Sequence, residues 1–290
     1  MTFNDNAKID SSRVSRRGRN TGIAVGGGGG LLVIGLFIVS QLLGVDLTGL
    51  AGGSGGEQQP GEALTQCDTG VEANATIDCL VGGTANSLDT YWATELPTLG
   101  ATYRSTNVIL FTDQTDTGCG GATSAVGPFY CPADETIYVD TAFYDELTSR
   151  FGASDGPLAE MYVVAHEWGH HIQNITGIMN GLDQSDTGPA SDSVRLELQA
   201  DCFAGAWVGA APTIKDENGV AFLEPVTDAQ IADALSAASA VGDDRIQEST
   251  QGQVNPESWT HGSSEARQKW FTIGYNGGPD ACNTFDVATP

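Results

Sequence analysis

Residues 163–173 constrain this chain more than any other stretch. They read Val-Val-Ala-His-Glu-Trp-Gly-His-His-Ile-Gln and contain the spacing His166-Glu167-x-x-His170. Residues four apart on an α-helix lie on one face, about one turn apart. Two imidazoles so placed can converge on one zinc ion at Zn–N distances of ~2.0–2.1 Å. Glu167 stands one step along, where its carboxylate can take a proton from a water on that ion. Met161, Val163 and Val164 are apolar, so the helix is expected to be partly buried, and buried His and Glu need partners to offset their desolvation.

Catalytic zinc usually takes three protein ligands plus water. One known extension of the motif places Gly and His at set positions after the second His, but those positions here are Gln173 and Thr176. His171 is five residues from His166 and points away around the helix, as a supporting, substrate-facing or surface residue. The stretch from Arg195 to Trp207 supplies a better third ligand. It reads as a helix with Glu197 and Asp201 four apart amid Leu196, Leu198, Ala200, Phe203 and Trp207. Glu197 is expected to ligate the metal, and Asp201 to accept the free ring N–H of a liganding histidine. The expected cofactor is one Zn2+ per chain, held by His166, His170 and Glu197.

These residues imply hydrolysis of an amide bond by a metal-activated water, with Glu167 as general base and then acid. A negative oxygen develops on the intermediate, so a further donor is expected. His261, in a Gly/Ser-rich loop before a helix, is the candidate, with Tyr138 and Tyr144 as alternatives. The strand Thr136 to Asp140 is read as an edge that could pair with an extended peptide or protein substrate.

The His-Glu-Trp-Gly-His-His segment, Glu197-Leu-Gln-Ala-Asp201 and Val126-Gly-Pro-Phe-Tyr-Cys-Pro132 together resemble the bacterial putative neutral zinc metallopeptidase family. So do Trp259-Thr-His-Gly-Ser-Ser264 and Arg267-x-x-Trp270-Phe271. The arrangement is similar to that of gluzincin-type peptidases, over roughly residues 60–290. The resemblance implies two ligand histidines, a glutamate ligand and a supporting aspartate in a zincin-like domain.

Charge and hydropathy suggest how the chain is organised. Residues 1–20 carry five cations and two acids, whereas the whole chain carries a net charge of −25. So acidic a domain should repel phosphate backbones, and no nucleic-acid partner is expected. Gly22 to Val45 contains no charged residue, a length that can span a hydrocarbon core of ~30 Å as a helix. With basic residues before it and acids after it, the expectation is a single-pass anchor in the cytoplasmic membrane, N-terminus inside and domain outside. The expected division is a cytoplasmic basic tail (1–21), a transmembrane anchor (22–45), a flexible linker (46–63) and a metallopeptidase domain (64–290). Six cysteines, all beyond residue 60, fit an exported domain. Local spacing suggests the pairs Cys67–Cys79 and Cys119–Cys131, leaving Cys202–Cys282.

Capping and periodicity predict helices over 87–96 (stopped by Pro97), 141–151, 157–176, 191–208 and from Thr227 and Ser263, with strands at 107–111 and 135–140. The expected fold is α+β and mainly helical, with a small antiparallel sheet before the metal-binding helix. Two other readings fit the same residues: a zinc- or peptide-binding protein without turnover, and a zinc amidase acting on cell-wall peptide. No Asp-x-Asp-x-Asp-Gly calcium loop is present.

Overall fold

The computed structural model describes residues 2–18 and 61–290. They form a mainly helical α+β fold around one mixed five-stranded sheet of order β2-β1-β3-β7-β6. The strands are β1 (Val14–Arg16), β2 (Glu62–Ala63), β3 (Asn107–Phe111), β6 (Phe129–Cys131) and β7 (Thr136–Asp140). A separate hairpin joins β4 (Gln114–Thr117) to β5 (Gly120–Thr123). The expected antiparallel sheet is thus corrected: β3 runs parallel to both β1 and β7, and only β2 and β6 run antiparallel to their neighbours. Parallel pairing buries both faces, and every residue of β7 is buried. The strand 136–140 is also not the expected edge, because β3 and β6 flank it.

The helices are α1 (Gly70–Ala73), α2 (Ile77–Thr98), α3 (Phe143–Ser149), α4 (Pro157–Ile175), α5 (Asp192–Ala210), α6 (Asp228–Ala240), α7 (Asp243–Gln251) and α8 (Ser264–Gly277). Their starts follow local chemistry. Pro157 opens α4 at a position whose missing N–H costs nothing. The Ser191 side chain accepts from the Val194 N–H at the head of α5, and that of Ser263 from the Ala266 N–H at the head of α8. Thr227 and Gln230 form a reciprocal capping box on α6. The helix expected over 87–96 begins ten residues earlier, where the Thr76 hydroxyl accepts from the Cys79 N–H, and Pro97 sits inside its last turn. Helix α7 falls in a stretch that the sequence reading leaves as a loop.

Helix α4 lies at the centre of the molecule, packed against α2, α5 and α6 and against β6 and β7. Helix α5 packs in turn on α8. Gly169 sets the approach of α4 to α5: a Cβ there would come within 2.9 Å of the Ala200 Cα. The three expected disulfides, Cys67–Cys79, Cys119–Cys131 and Cys202–Cys282, are all formed. They point to an oxidising, extracytoplasmic compartment.

The N-terminal residues depart most from expectation. Phe3, Ala7, Ile9 and Val14 are buried in the main core. Strand β1 lies inside the sheet between β2 and β3, and the Asn4 N–H donates to the Phe222 carbonyl. Arg16 pairs with Asp78 on α2. Gly70 carries no side chain where the Asn4 carbonyl passes 1.8 Å from the position of a Cβ. Residues 2–18 are therefore built into the same body as residues 61–290. A tail kept inside the cell, with the domain outside, would be separated from these partners by ~30 Å of hydrocarbon, so that arrangement is incompatible with this fold. The expected span Gly22–Val45 and most of the expected linker lie outside the described residues. No helix among the described residues is long and apolar enough to cross a membrane.

Two predictions follow from this packing. Phe3→Ala should destabilise the whole domain by roughly 3–5 kcal/mol, as for a buried core aromatic, read as a lower urea midpoint; a free tail would give no change. Glu160, in the first turn of α4, has its carboxyl pushed up to about 7 by burial and then by Asp155 and Asp145. The folded state then holds a proton that the unfolded state releases, so this contribution to stability is present at acid pH and lost as pH rises through about 7. Glu160→Gln should flatten that loss, so the variant gains on the wild type in urea midpoint between pH 4 and pH 8.

Candidate metal centre

Helices α4 and α5 bring His166, His170 and Glu197 together, all buried, with one ligand atom from each within 4.8 Å of the others. The Nε2 of His166 lies 3.1 Å from one Glu197 oxygen and that of His170 lies 3.4 Å from the other. Donors ~2.0–2.1 Å from a tetrahedral zinc stand about 3.4 Å apart, so these separations suit one ion.

The other ring nitrogens show which way the lone pairs point. His166 Nδ1 is 2.8 Å from Asp201 Oδ1, and His170 Nδ1 is 2.8 Å from Gln173 Oε1. Both partners accept, so each Nδ1 donates its proton and each Nε2 is left bare toward Glu197. Two lone pairs facing a buried carboxylate repel unless a cation lies between them. The electrostatics show the same demand for positive charge: without a cation, Asp201 and Glu197 outweigh burial and push the His166 pKa up to about 10, so a proton takes the place on Nε2 that a metal ion would occupy. Among the described residues the cleft is lined by the carboxylates of Glu167 and Glu197 and by the guanidinium of Arg267, which pairs with the buried Asp201. The donor set of two imidazoles and a carboxylate is that of catalytic zinc.

Around the triad lies a supporting layer that the sequence reading only partly anticipates. Asp201 is fully buried. It accepts from His166, from the Tyr162 hydroxyl and, at 2.7 and 2.9 Å, from Arg267 Nε and Nη2. Burial would raise its pKa, but Arg267 and then His166 hold it below the ordinary carboxylate range. Arg267 also donates to the Val241 carbonyl and the Tyr162 hydroxyl. Gln173 is oriented by donating to the Leu196 carbonyl and Gln199 Oε1. The roles of Tyr162, Gln173 and Arg267 were missed. Gln173 had a signal, three residues after His170 on the same face, and Arg267 had one as a cation three and four residues before the apolar pair Trp270 and Phe271.

Glu167 lines the cleft with only 8% of its surface exposed. Burial raises its pKa, opposed by His170 and His166. His261 lines the same cleft. Its Nδ1 is 2.8 Å from Thr260 Oγ1 and 3.4 Å from Asp243 Oδ1, which leaves Nε2 for the cleft. Asp243, at the start of α7, clamps this loop by accepting from the backbone N–H groups of Thr260, His261 and Gly262 at 2.7–3.0 Å. Burial lowers the His261 pKa, but Glu197 and then Asp243 bring it above the usual imidazole value. Of the alternative tyrosines, Tyr138 gives its hydroxyl to Asp134. The Tyr144 hydroxyl is buried without a partner among the described residues, in the field of Glu160 and Glu167. His171 is not at the surface. It lies on the far side of α4, bonded to the Arg104 carbonyl and the Tyr130 hydroxyl, and serves packing rather than the cleft.

Comparison with known proteins agrees with this geometry. The model of the family described as putative neutral zinc metallopeptidase matches residues 3–285, which takes in the N-terminal strand as well as the centre. The uncharacterized protein Rv2575 of Mycobacterium tuberculosis is 50% identical over 294 residues, covering 99% of each chain. The uncharacterized protein YpfJ of Escherichia coli is 41% identical over 265 residues, covering 89% of this chain and 87% of its own. No solved structure matches. The chain belongs to the putative neutral zinc metallopeptidase family.

Proposed function

We propose that this protein hydrolyses peptide bonds outside the cytoplasm with one zinc ion held by His166, His170 and Glu197. The observation that carries the reading is the pair of Nδ1 anchors, Asp201 and Gln173, which turn two bare Nε2 atoms toward one buried carboxylate. When bound, zinc supplies Lewis acidity toward the peptide carbonyl and lowers the pKa of water to about 7.

The chain's own residues do the rest. Glu167 takes a proton from the attacking water and later delivers it to the leaving nitrogen. Its buried setting moves its pKa toward neutrality, which suits both roles. His261 presents Nε2 to the developing negative oxygen. Glu197 and Asp243 favour its protonated ring, which carries an N–H on that nitrogen. Asp243 fixes the loop that carries it, so the donor is in place before substrate arrives. Asp201, Tyr162 and Arg267 hold His166 in one orientation throughout the cycle.

Purified protein should contain about one zinc per chain by elemental analysis, following the three-ligand, one-ion stoichiometry of such sites. Glu197→Ala should lose it, whereas zinc retained in that variant would rule out Glu197 as a ligand. Gln173→Leu should keep the fold but weaken zinc about 10–100-fold, as measured by competition with a chelator, whereas Asp201→Asn should also lower the urea midpoint because it leaves the buried Arg267 charge unpaired.

Glu167→Gln should retain zinc and lower kcat on a cleavable peptide by about 10²–10⁴. Unchanged turnover in that variant would refute the general-base role. His261→Gln, also zinc-replete, should lose about 10²–10³ in kcat with little change in KM, the pattern of a donor engaged mainly in the transition state.

A further inference from the structure

The metal cleft leads away from Glu167 between α3 and α6, along the first turns of α4. Leu147, Val163 and Ala237 line it, one from each of these helices. On α4, Glu160, Val163 and Glu167 recur at steps of three and four residues. They share one face, with Glu160 about 10 Å beyond Glu167, two turns back along the helix. The loop that precedes α4 is fixed at this end. The Ser154 hydroxyl donates to Asp233, and its backbone N–H to Ser236 Oγ, both on α6. Asp155 follows Ser154 on that loop.

Glu160 is half-buried. After burial, the charges that push its carboxyl up are those of Asp155 on the loop and Asp145 on α3, both exposed. Arg150, the cation at the end of α3, lies over the ring of Phe151 instead. Among the described residues these three carboxylates are too far apart to share a metal ion, since only His166, His170 and Glu197 gather that closely. Tyr144 on α3 adds an independent sign. It keeps 6% of its surface exposed, and its hydroxyl is buried without a hydrogen-bond partner among the described residues. Its phenol lies in the field of Glu160 first and Glu167 second. A buried hydroxyl is costly to leave unpaired. A cation with several N–H donors that reached Glu160 along the cleft would offer one to the Tyr144 oxygen as well.

We propose that this acidic rim, made by Asp145, Asp155 and Glu160 with the Tyr144 hydroxyl, receives the cationic side chain of a lysine or arginine about three residues from the scissile bond of a peptide substrate. An extended chain advances ~3.3–3.4 Å per residue, so about three residues cover the distance from Glu167 to Glu160. The net charge of −25 draws basic peptides toward the protein at long range, and the rim fixes where their charge lands. The register of the site rests on the peptidase reading, and the experiment separates the two.

The test uses the zinc-loaded full chain and short alanine-based peptides that carry a zinc-chelating hydroxamate at one end or the other. A single lysine is walked outward from the chelating group, with norleucine and glutamate in its place as controls. Binding is read by calorimetry, so turnover is not needed. In one of the two series, lysine near the third residue should bind about tenfold tighter than norleucine, the scale of a charge-assisted hydrogen bond. Arginine should match it, glutamate should bind more weakly than norleucine, and the gain should vanish beside the chelating group and shrink as salt is raised. Glu160→Gln on the helix and Asp155→Asn on the loop should each reduce the lysine gain and leave the norleucine peptide unchanged, so the proposal does not depend on one variant folding. Equal affinities for lysine and norleucine at every position, a gain that survives both substitutions, or failure of every peptide to bind would overturn the rim. Calcium alone, titrated into wild type and Glu160→Gln, should give no heat that depends on Glu160; a calcium site there would also overturn it.

Fluorogenic peptides with the same substitutions form the second arm. Lysine at the selected position should lower KM by a similar factor with little change in kcat, the pattern of a contact made equally in ground and transition states. Cleavage indifferent to that lysine keeps the peptidase reading and removes the rim. Lysine-selective hydroxamate binding without cleavage of any peptide keeps the rim and removes the peptidase reading.

Discussion

The buried carboxylate of Asp201 holds the centre of this molecule together. It lies on α5 and accepts from Tyr162 and His166 on α4 and from Arg267 on α8, so three helices meet at one group with no exposed surface. Removing a carboxylate and a guanidinium from water costs several kcal/mol per ion. The bidentate contact, the tyrosine and the imidazole offset that cost only while all of them stay in place. A pair assembled in this way adds little net stability compared with apolar packing, but it tolerates few alternative arrangements of the three helices. That exactness of placement is what a metal ligand needs, since His166 is oriented by the same carboxylate.

A second acid repeats the device on the other side of the cleft. Asp243 accepts from three consecutive backbone N–H groups and adjoins the His261 ring. Asp201 thus fixes a ligand, and Asp243 fixes a loop. Gly169 completes the arrangement, because only its missing side chain lets α4 come near enough to Ala200 for the two histidines to share Glu197. Backbone approach, ring orientation and loop position are all set by the fold itself, and in the function proposed above such preorganisation would lower the cost of reaching a charged transition state.

Much of this could be read from the sequence because it is local. The His-Glu-x-x-His spacing and the Glu197/Asp201 spacing both follow from helix geometry, Pro157 marks the start of α4, and capping residues mark those of α5, α6 and α8. Short-range cysteine spacing gave two disulfides and elimination the third. What could not be read was non-local. Nothing in Val14-Ser15-Arg16 announces a strand whose partner lies at 108–110, and the basic character of that region pointed instead to a tail beside a membrane. Arg267 lies 66 residues from Asp201, so its role appears only when the helices are packed. β7 was recognised as a strand, but its neighbours, and hence its interior position, depend on the whole sheet.

The N-terminal strand also bears on how this protein is made. β1 precedes its partner β3, which begins at Asn107, by about ninety residues, and residues 2–4 bond to the backbone of Phe222 and Glu224. The sheet interior and this part of the core cannot close until synthesis has passed those later residues. Contacts so distant in sequence carry a loop-closure cost that must be met before the pairing rewards it, and they form only late in synthesis. A nascent chain that lacks residues 222–224 thus leaves this part of the core open, and the domain closes only late in synthesis or after it.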